Sequence, residues 1–157
     1  MRTKQVAVLA AALLLVVLSV AVESADQMSG TWKMNAAKSK YSPGPAPKEL
    51  TVKTESSESS YKVDATGTDA EGKPIHVQYD AKLDGKDYPV TGQPYADTVL
   101  VKRVDASTVE ATMKKDGKVT MTVTTTLAKD GKSRTSTFNG TNEKGQAVQN
   151  VVVFDKQ

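Results

Sequence analysis

The chain has 157 residues, which suits one domain, with 21 basic and 18 acidic residues and a net charge of +3 at pH 7. Lysines are spread along the chain among Asp and Glu, a pattern typical of a solvated surface that argues against nucleic-acid binding. Cysteine is absent, which excludes disulfides, thiol redox chemistry and cysteine-ligated metals.

Residues 1–24 have the three parts of a secretory signal peptide. Arg2 and Lys4 make a positive start, residues 6–22 are almost wholly apolar, and small residues lead up to Ser24. An uncleaved membrane anchor is the alternative, but the apolar run is slightly short for a spanning helix, which needs about 20 residues. We therefore predict that residues 1–24 are removed and that the protein is exported to the periplasm or the extracellular space. No stable membrane insertion is expected after cleavage.

Residues 25–157 are predicted to form a single all-β domain. A polar segment leads to Pro43-Gly-Pro-Ala-Pro47, which cannot be the interior of a helix or of a central strand. Strands are then predicted at residues 50–54, 61–65, 75–83, 98–104, 109–113, 119–127, 133–139 and 148–154. Turn signals such as Asp84-Gly85 and Asp116-Gly117 separate them. No window of the domain has a sustained helical period.

Two segments alternate apolar and polar side chains at a period of two, so one face should be buried and the other solvated. We expect the following residues to point inward: Ile75, Val77, Tyr79, Ala81, Leu83, Val109, Ala111 and Met113. Their neighbours should point outward: His76, Gln78, Glu110 and Thr112. Short connections exclude parallel crossovers, and a sheet of this size must curl, close or split. The predicted fold is an antiparallel up-and-down β-barrel of about eight or nine strands, with a two-sheet β-sandwich as the alternative.

Several segments of the domain are similar to those of known small barrels. Gly30-Thr-Trp32, placed before a β-meander, resembles the Gly-x-Trp signature that opens lipocalins. Asn150-Val-Val-Val-Phe-Asp-Lys156 resembles the last strand of fatty-acid-binding barrels. Together with Lys38-Ser-Lys-Tyr-Ser-Pro-Gly-Pro45 and Asp84-Gly-Lys-Asp-Tyr-Pro-Val-Thr-Gly92, they make the domain similar to small exported bacterial proteins of the lipocalin-like (calycin) type, mostly of unknown role.

That resemblance implies a small-molecule carrier in which Trp32 plugs one end of the barrel. Fatty-acid-binding barrels hold a carboxylate with an Arg and a Tyr that alternate on the last strand. The corresponding positions here are Val152 and Phe154, so a carboxylate site of that type is not expected.

The sequence contains no pattern of residues that is typical of a catalytic or metal-binding site. His76 is the only histidine, and one histidine cannot form a metal site or a Ser-His-Asp triad. Many of the carboxylates fall in turns, where Asp bonds its own nearby backbone. We therefore predict that the protein is not an enzyme and needs no cofactor.

The function predicted from the sequence is that of an exported carrier for a small, mostly apolar, uncharged ligand in the barrel interior. The clearest strands have no inward Arg or Lys, so an anionic ligand would lie there with its charge unpaired. The candidate ligand-binding residues are Trp32, Tyr79, Tyr88, Tyr95, Asn150 and Phe154. The alternative is a solid core with a surface site for a protein or glycan on the Tyr88–Tyr95 loop. The interior volume separates the two hypotheses, and the oligomeric state is open.

The signal-peptide hypothesis predicts the N-terminus of the exported protein. Mass spectrometry should find a first residue between Val22 and Asp26, because the small residues suitable for cleavage lie there. Exported protein that still begins at Met1 would contradict it.

Overall fold

The structure is a computed structural model that describes residues 26–157, so the predicted signal peptide, residues 1–24, lies outside the described residues. The ten strands are β1 (Gly30–Met34), β2 (Glu49–Ser56), β3 (Ser60–Thr68), β4 (Pro74–Lys82), β5 (Tyr88–Thr91), β6 (Thr98–Asp105), β7 (Thr108–Lys115), β8 (Lys118–Leu127), β9 (Ser133–Thr141) and β10 (Ala147–Lys156). One short 3-10 helix, Ala36–Lys38, lies in the polar segment after β1. No helix within residues 26–157 is long and apolar enough to cross a membrane.

The strands form one closed antiparallel barrel in which each strand pairs with its neighbours in the chain. Closure is made by β1, which places Trp32 opposite Val52 of β2 on one side and opposite Lys156 of β10 on the other. A closed sheet has no free edge on which another strand could pair. The predicted up-and-down barrel is thereby confirmed, with ten strands in place of eight or nine.

One of the uncounted strands lies in the segment that the sequence places in a loop, residues 84–97. β5 spans four residues there and pairs with β4 through Thr91 and Val90, and with β6 through Tyr88 and Pro89. Pro89 has no backbone N–H to donate, and a strand this short has too few residues to show alternation. The turn residues on both sides therefore dominate its sequence signal.

The alternation predicted for β4 and β7 is confirmed. The inward residues are buried or pack against the core: Ile75, Val77, Tyr79, Ala81, Leu83, Val109, Ala111 and Met113. On the other face, His76 and Gln78 are exposed, and Glu110 and Thr112 are partly exposed. Alternating burial also marks β3, β6 and β8.

Antiparallel order gives the barrel two different ends. At the first, the closed end, β2 joins β3 and β8 joins β9, and the segment before β1 crosses the opening. Met28 and Trp32 are fully buried there, and the Trp32 indole N–H donates to the Met28 carbonyl at 3.1 Å. Arg103 fixes the segment by donating to the Asp26 carboxylate, with a second bond to the Ser56 hydroxyl at 2.7 Å. The second end, the open end, has the long connector between β1 and β2.

Three glycines near the open end allow neighbouring backbones to approach closely. A Cβ atom at Gly67, Gly92 or Gly140 would collide with a backbone carbonyl oxygen of the adjacent strand. Glycines without a side chain permit such contacts and the local curvature that closes a barrel.

Gly92 and Gly85 offer a matched test of this close approach. Both have a positive φ, +81° and +78°, so alanine costs about 1 kcal/mol at each from backbone strain. Only Gly92 would also collide with backbone, at His76, while Gly85 faces open space. We expect Gly92→Ala to lower the free energy of unfolding by about 2 kcal/mol more than Gly85→Ala, measured by urea unfolding. Equal losses would show that the barrel accommodates the added methyl group.

Candidate ligand-binding cavity

The barrel interior contains a cavity of about 650 Å³. Ligand pockets in proteins have volumes of about 300–1,000 Å³, so the interior has the size of a small-molecule site and is not packed solid. Inward side chains from β2, β3, β4, β7, β8, β9 and β10 form the wall.

The middle of the cavity wall is apolar. Its residues are Val52, Val63, Ala65, Val77, Met113, Met121, Val123 and Val152. Each occupies an inward position of its strand, and all are short or unbranched at the tip, so they leave the centre of the barrel unfilled. This part of the cavity can contact only an apolar surface.

The open end is bordered by prolines, tyrosines and amides. The residues that line it are Tyr41, Pro47, Leu50, Pro74, Ile75, Gly92, Gln93, Pro94, Tyr95, Asn142, Val148 and Asn150. Asn150 also holds the connector in place, because its side-chain oxygen accepts a hydrogen bond from the Ser42 backbone N–H at 2.9 Å. None of these lining residues is Lys, Arg, Asp or Glu.

The cavity becomes polar toward the closed end, where Arg134 lines it. Arg134 lies on β9 with 3% of its surface exposed, and it donates from Nη1 to the Thr54 hydroxyl at 3.0 Å. Its guanidinium carbon lies 4.7 Å from the centre of the Trp32 ring and 5.5 Å from that of Phe154, within the range of cation–π attraction. Next to it on the wall, the hydroxyls of Thr125 and Ser136 share a hydrogen bond of 2.8 Å.

Arg134 places a cationic side chain in the interior, on a strand whose inward face the sequence does not reveal. Residues 133–139 read Ser-Arg-Thr-Ser-Thr-Phe-Asn, with one apolar residue in seven, so alternation does not identify the inward face. Register with β8 and β10 identifies it: Arg134 pairs with Leu127 and Phe154, both buried. The expectation of an uncharged ligand rests on the clearest strands and does not take Arg134 into account.

Four of the six candidate ligand-binding residues line the cavity: Tyr79, Tyr95, Asn150 and Phe154. Trp32 is fully buried behind Arg134 and does not line it. Tyr88 also lies outside the cavity wall, and its hydroxyl donates to the Asp84 carboxylate at 2.7 Å. Tyr88 begins β5 and Tyr95 follows that strand; both rings pack against the core, but only the Tyr95 ring lines the cavity.

Burial changes the proton affinity of the polar side chains in the cavity. It raises the pKa of Tyr41 and of Tyr95 to about 12, and it raises the pKa of Tyr79 further still. Tyr79 is partly exposed despite this enclosure, because its free surface faces the cavity. Burial lowers the pKa of Arg134, an effect that Tyr61 and Tyr79 oppose. An arginine so placed stays protonated at neutral pH.

Known proteins do not assign this chain to a family. No family model matches it, and no curated protein matches it either. The closed antiparallel barrel is the architecture that the resemblance to lipocalins implies. Within residues 26–157, no three His, Asp or Glu side chains lie close enough together to hold a metal ion.

The raised pKa of Tyr95 predicts a loss of stability in alkali. As pH rises above about 10, tyrosine ionises in the unfolded chain while Tyr95 stays protonated in the barrel, so its contribution is complete below pH 10 and is lost between pH 10 and 12. Tyr95→Phe has no hydroxyl to ionise. Its stability loss between pH 8 and pH 11 should be smaller than that of the wild type by about 1.4 kcal/mol, measured by urea unfolding. Equal alkaline losses in the two proteins would contradict the assigned burial.

Proposed function

We propose that the protein is an exported small-molecule-binding protein of the lipocalin-like type, whose barrel holds a small, largely apolar ligand. The observation that carries the proposal is the cavity of about 650 Å³ with an apolar wall. Export is inferred from the signal-peptide features of residues 1–24. A concave apolar space with a few placed polar groups is the usual form of such a site.

Two features of β1 support the lipocalin-like assignment. Gly30-Thr-Trp32 begins the first strand of a closed barrel, and Trp32 is fully buried at the end that the preceding segment closes. Both agree with the role that the resemblance gives this tryptophan. The motif therefore has the expected place in the fold as well as the expected residues, which supports the similarity more strongly than a three-residue match alone.

Binding fits the cavity better than catalysis does. His76 is exposed, and its ring nitrogen lies 3.3 Å from the Asp64 carboxylate on the outer face of β3 and β4, so the imidazole is turned away from the interior. Besides His76, the titratable residues that line the cavity are tyrosines and Arg134. Burial raises the pKa values of Tyr41, Tyr79 and Tyr95 away from neutral pH, and Arg134 stays protonated. Such groups hold their protons at physiological pH and are suited to positioning a ligand.

Filling the cavity should abolish binding. Ala65 and Thr66 are neighbours on β3, but Ala65 lines the cavity and Thr66 is exposed. We expect the neutral apolar dye N-phenyl-1-naphthylamine to bind the wild type and Thr66→Phe in a 1:1 complex with enhanced fluorescence. Ala65→Phe should weaken binding by about tenfold or more, because its ring occupies the space of the dye.

The two variants carry the same added ring on opposite faces of one strand, so a general effect of phenylalanine would change both. Native mass spectrometry of protein from its own host should also find a co-purifying small molecule. Absence of dye binding to the wild type would overturn the carrier proposal and favour a surface site.

A further inference from the structure

Two arginines, Arg103 and Arg134, point inward near the closed end, and they differ in whether a nearby carboxylate pairs with their charge. Arg103 donates to the Asp26 carboxylate, the hydroxyl of Ser56 and the Ser57 carbonyl, so its charge is paired. Arg134 takes part in none of the salt bridges found within residues 26–157. No Asp or Glu of the described residues lines the cavity. Within residues 26–157, Arg103 therefore has a counter-ion and Arg134 does not.

The partners of Arg134 satisfy only part of its guanidinium. Thr54 accepts one hydrogen bond from Nη1, and the rings of Trp32 and Phe154 face the cation. Its Nε is buried and has no hydrogen-bond partner among the described residues. A buried charge without an opposite charge is costly, and the cost falls when an anion enters the cavity that Arg134 lines.

We propose that Arg134 binds the carboxylate of an amphiphilic ligand whose apolar tail extends toward the open end. This inference rests on the proposed function and replaces the uncharged ligand expected from the sequence. A carboxylate is favoured over a phosphate because Arg134 is the only Lys or Arg among the described residues that line the cavity, which suits a single negative charge. The planar guanidinium also matches a planar carboxylate. Tyr61 and Tyr79 line the same cavity as Arg134 and oppose the lowering of its pKa, and we expect their hydroxyls to complete the head-group site.

The arrangement of the wall sets the orientation of the ligand. Cavity-lining residues of β10 run from Phe154, beside Arg134, to Val148 near the open end, a distance of about 20 Å along the strand. Apolar side chains such as Val63 and Val123 lie between the two ends. In the reverse orientation the carboxylate would meet a rim that lacks Lys and Arg. The cavity is therefore matched to an elongated monoanion with its head at the closed end.

This site differs from the one that the resemblance to fatty-acid-binding barrels implies. There, an Arg and a Tyr alternate on the last strand, whereas β10 has Val152 and Phe154 at those positions. Here the cation comes from β9, and the tyrosines from β3 and β4. The head-group site is thus inferred from the burial of Arg134 and its missing counter-ion.

A matched pair of ligands tests the proposal. Dodecanoate and 1-dodecanol have the same chain length and differ in charge, and each can be titrated at pH 8 against bound N-phenyl-1-naphthylamine. We expect dodecanoate to displace the dye from the wild type at a concentration at least about tenfold lower than the concentration of 1-dodecanol that is needed. Arg134→Gln should abolish that preference while still binding the dye and 1-dodecanol. Lys156→Gln is the control, because Lys156 lies 5.0 Å from the Trp32 ring but does not line the cavity; it should keep the preference.

The outcomes separate this proposal from the proposed function. If the wild type binds the dye but dodecanoate and 1-dodecanol displace it equally well, the carboxylate site is overturned and the carrier function is retained. The same holds if Arg134→Gln folds, as judged by circular dichroism, and keeps the preference, since Arg134 would then only support the fold. If Arg134→Gln does not fold, Arg134→Lys replaces it, and a preference reduced in that variant but retained in Lys156→Gln supports the proposal. Failure of the wild type to bind the dye would instead overturn the proposed function.

Discussion

The structure depends on the pairing of β1 with both β2 and β10, which converts a meander of hairpins into a closed barrel. β1 is only five residues long, yet it places Trp32 between β2 and β10 and packs it against the segment that crosses the closed end. Trp32 in turn supplies the aromatic face on which Arg134 rests. Closure of the sheet, closure of one barrel end and the placement of the inward cation thus share one side chain. Each of them would be weakened by loss of the others.

The cavity follows from the number of strands together with the size of the inward side chains. Eight strands enclose an interior that side chains can fill, and further strands widen it. This barrel has ten, and several of its buried inward positions hold small residues, such as Ala65, Ala111 and Ser136. Large rings are few, since aromatic residues make up 5% of the sequence. A wide barrel with small inward residues and few aromatic rings cannot fill its own centre.

The sequence predicted the barrel architecture because the alternation on β4 and β7 is visible within each strand, without knowledge of how the strand pairs. It failed for β5, where a four-residue strand containing Pro89 has no alternation to detect. The sequence also did not predict the inward face of β9. Polar residues outnumber apolar ones on this strand, so its inward face is defined only by the strands with which it pairs. Tyr79 could be placed on an inward face from the alternation of β4, whereas residues 148–154 do not alternate and Asn150 was a candidate only if it faces inward. Arg134 could not be placed in this way, because its environment is built by Trp32, Thr54 and Phe154 from three other strands.

Arg103 and Arg134 show how one barrel separates stability from binding. Both are inward, partly or wholly removed from water, and close to the same end of the barrel. Asp26 neutralises Arg103, and the pair ties down the segment that seals the closed end. Among the described residues, Arg134 has aromatic faces and the Thr54 hydroxyl as partners but no carboxylate, which breaks the rule that buried charges are paired. Departures of this kind are expected where a protein retains a less stable arrangement for its function. The pairing of one arginine also shows that the chain can supply a carboxylate at this end of the barrel, so the missing partner of the other is best explained by a counter-ion that arrives with the ligand.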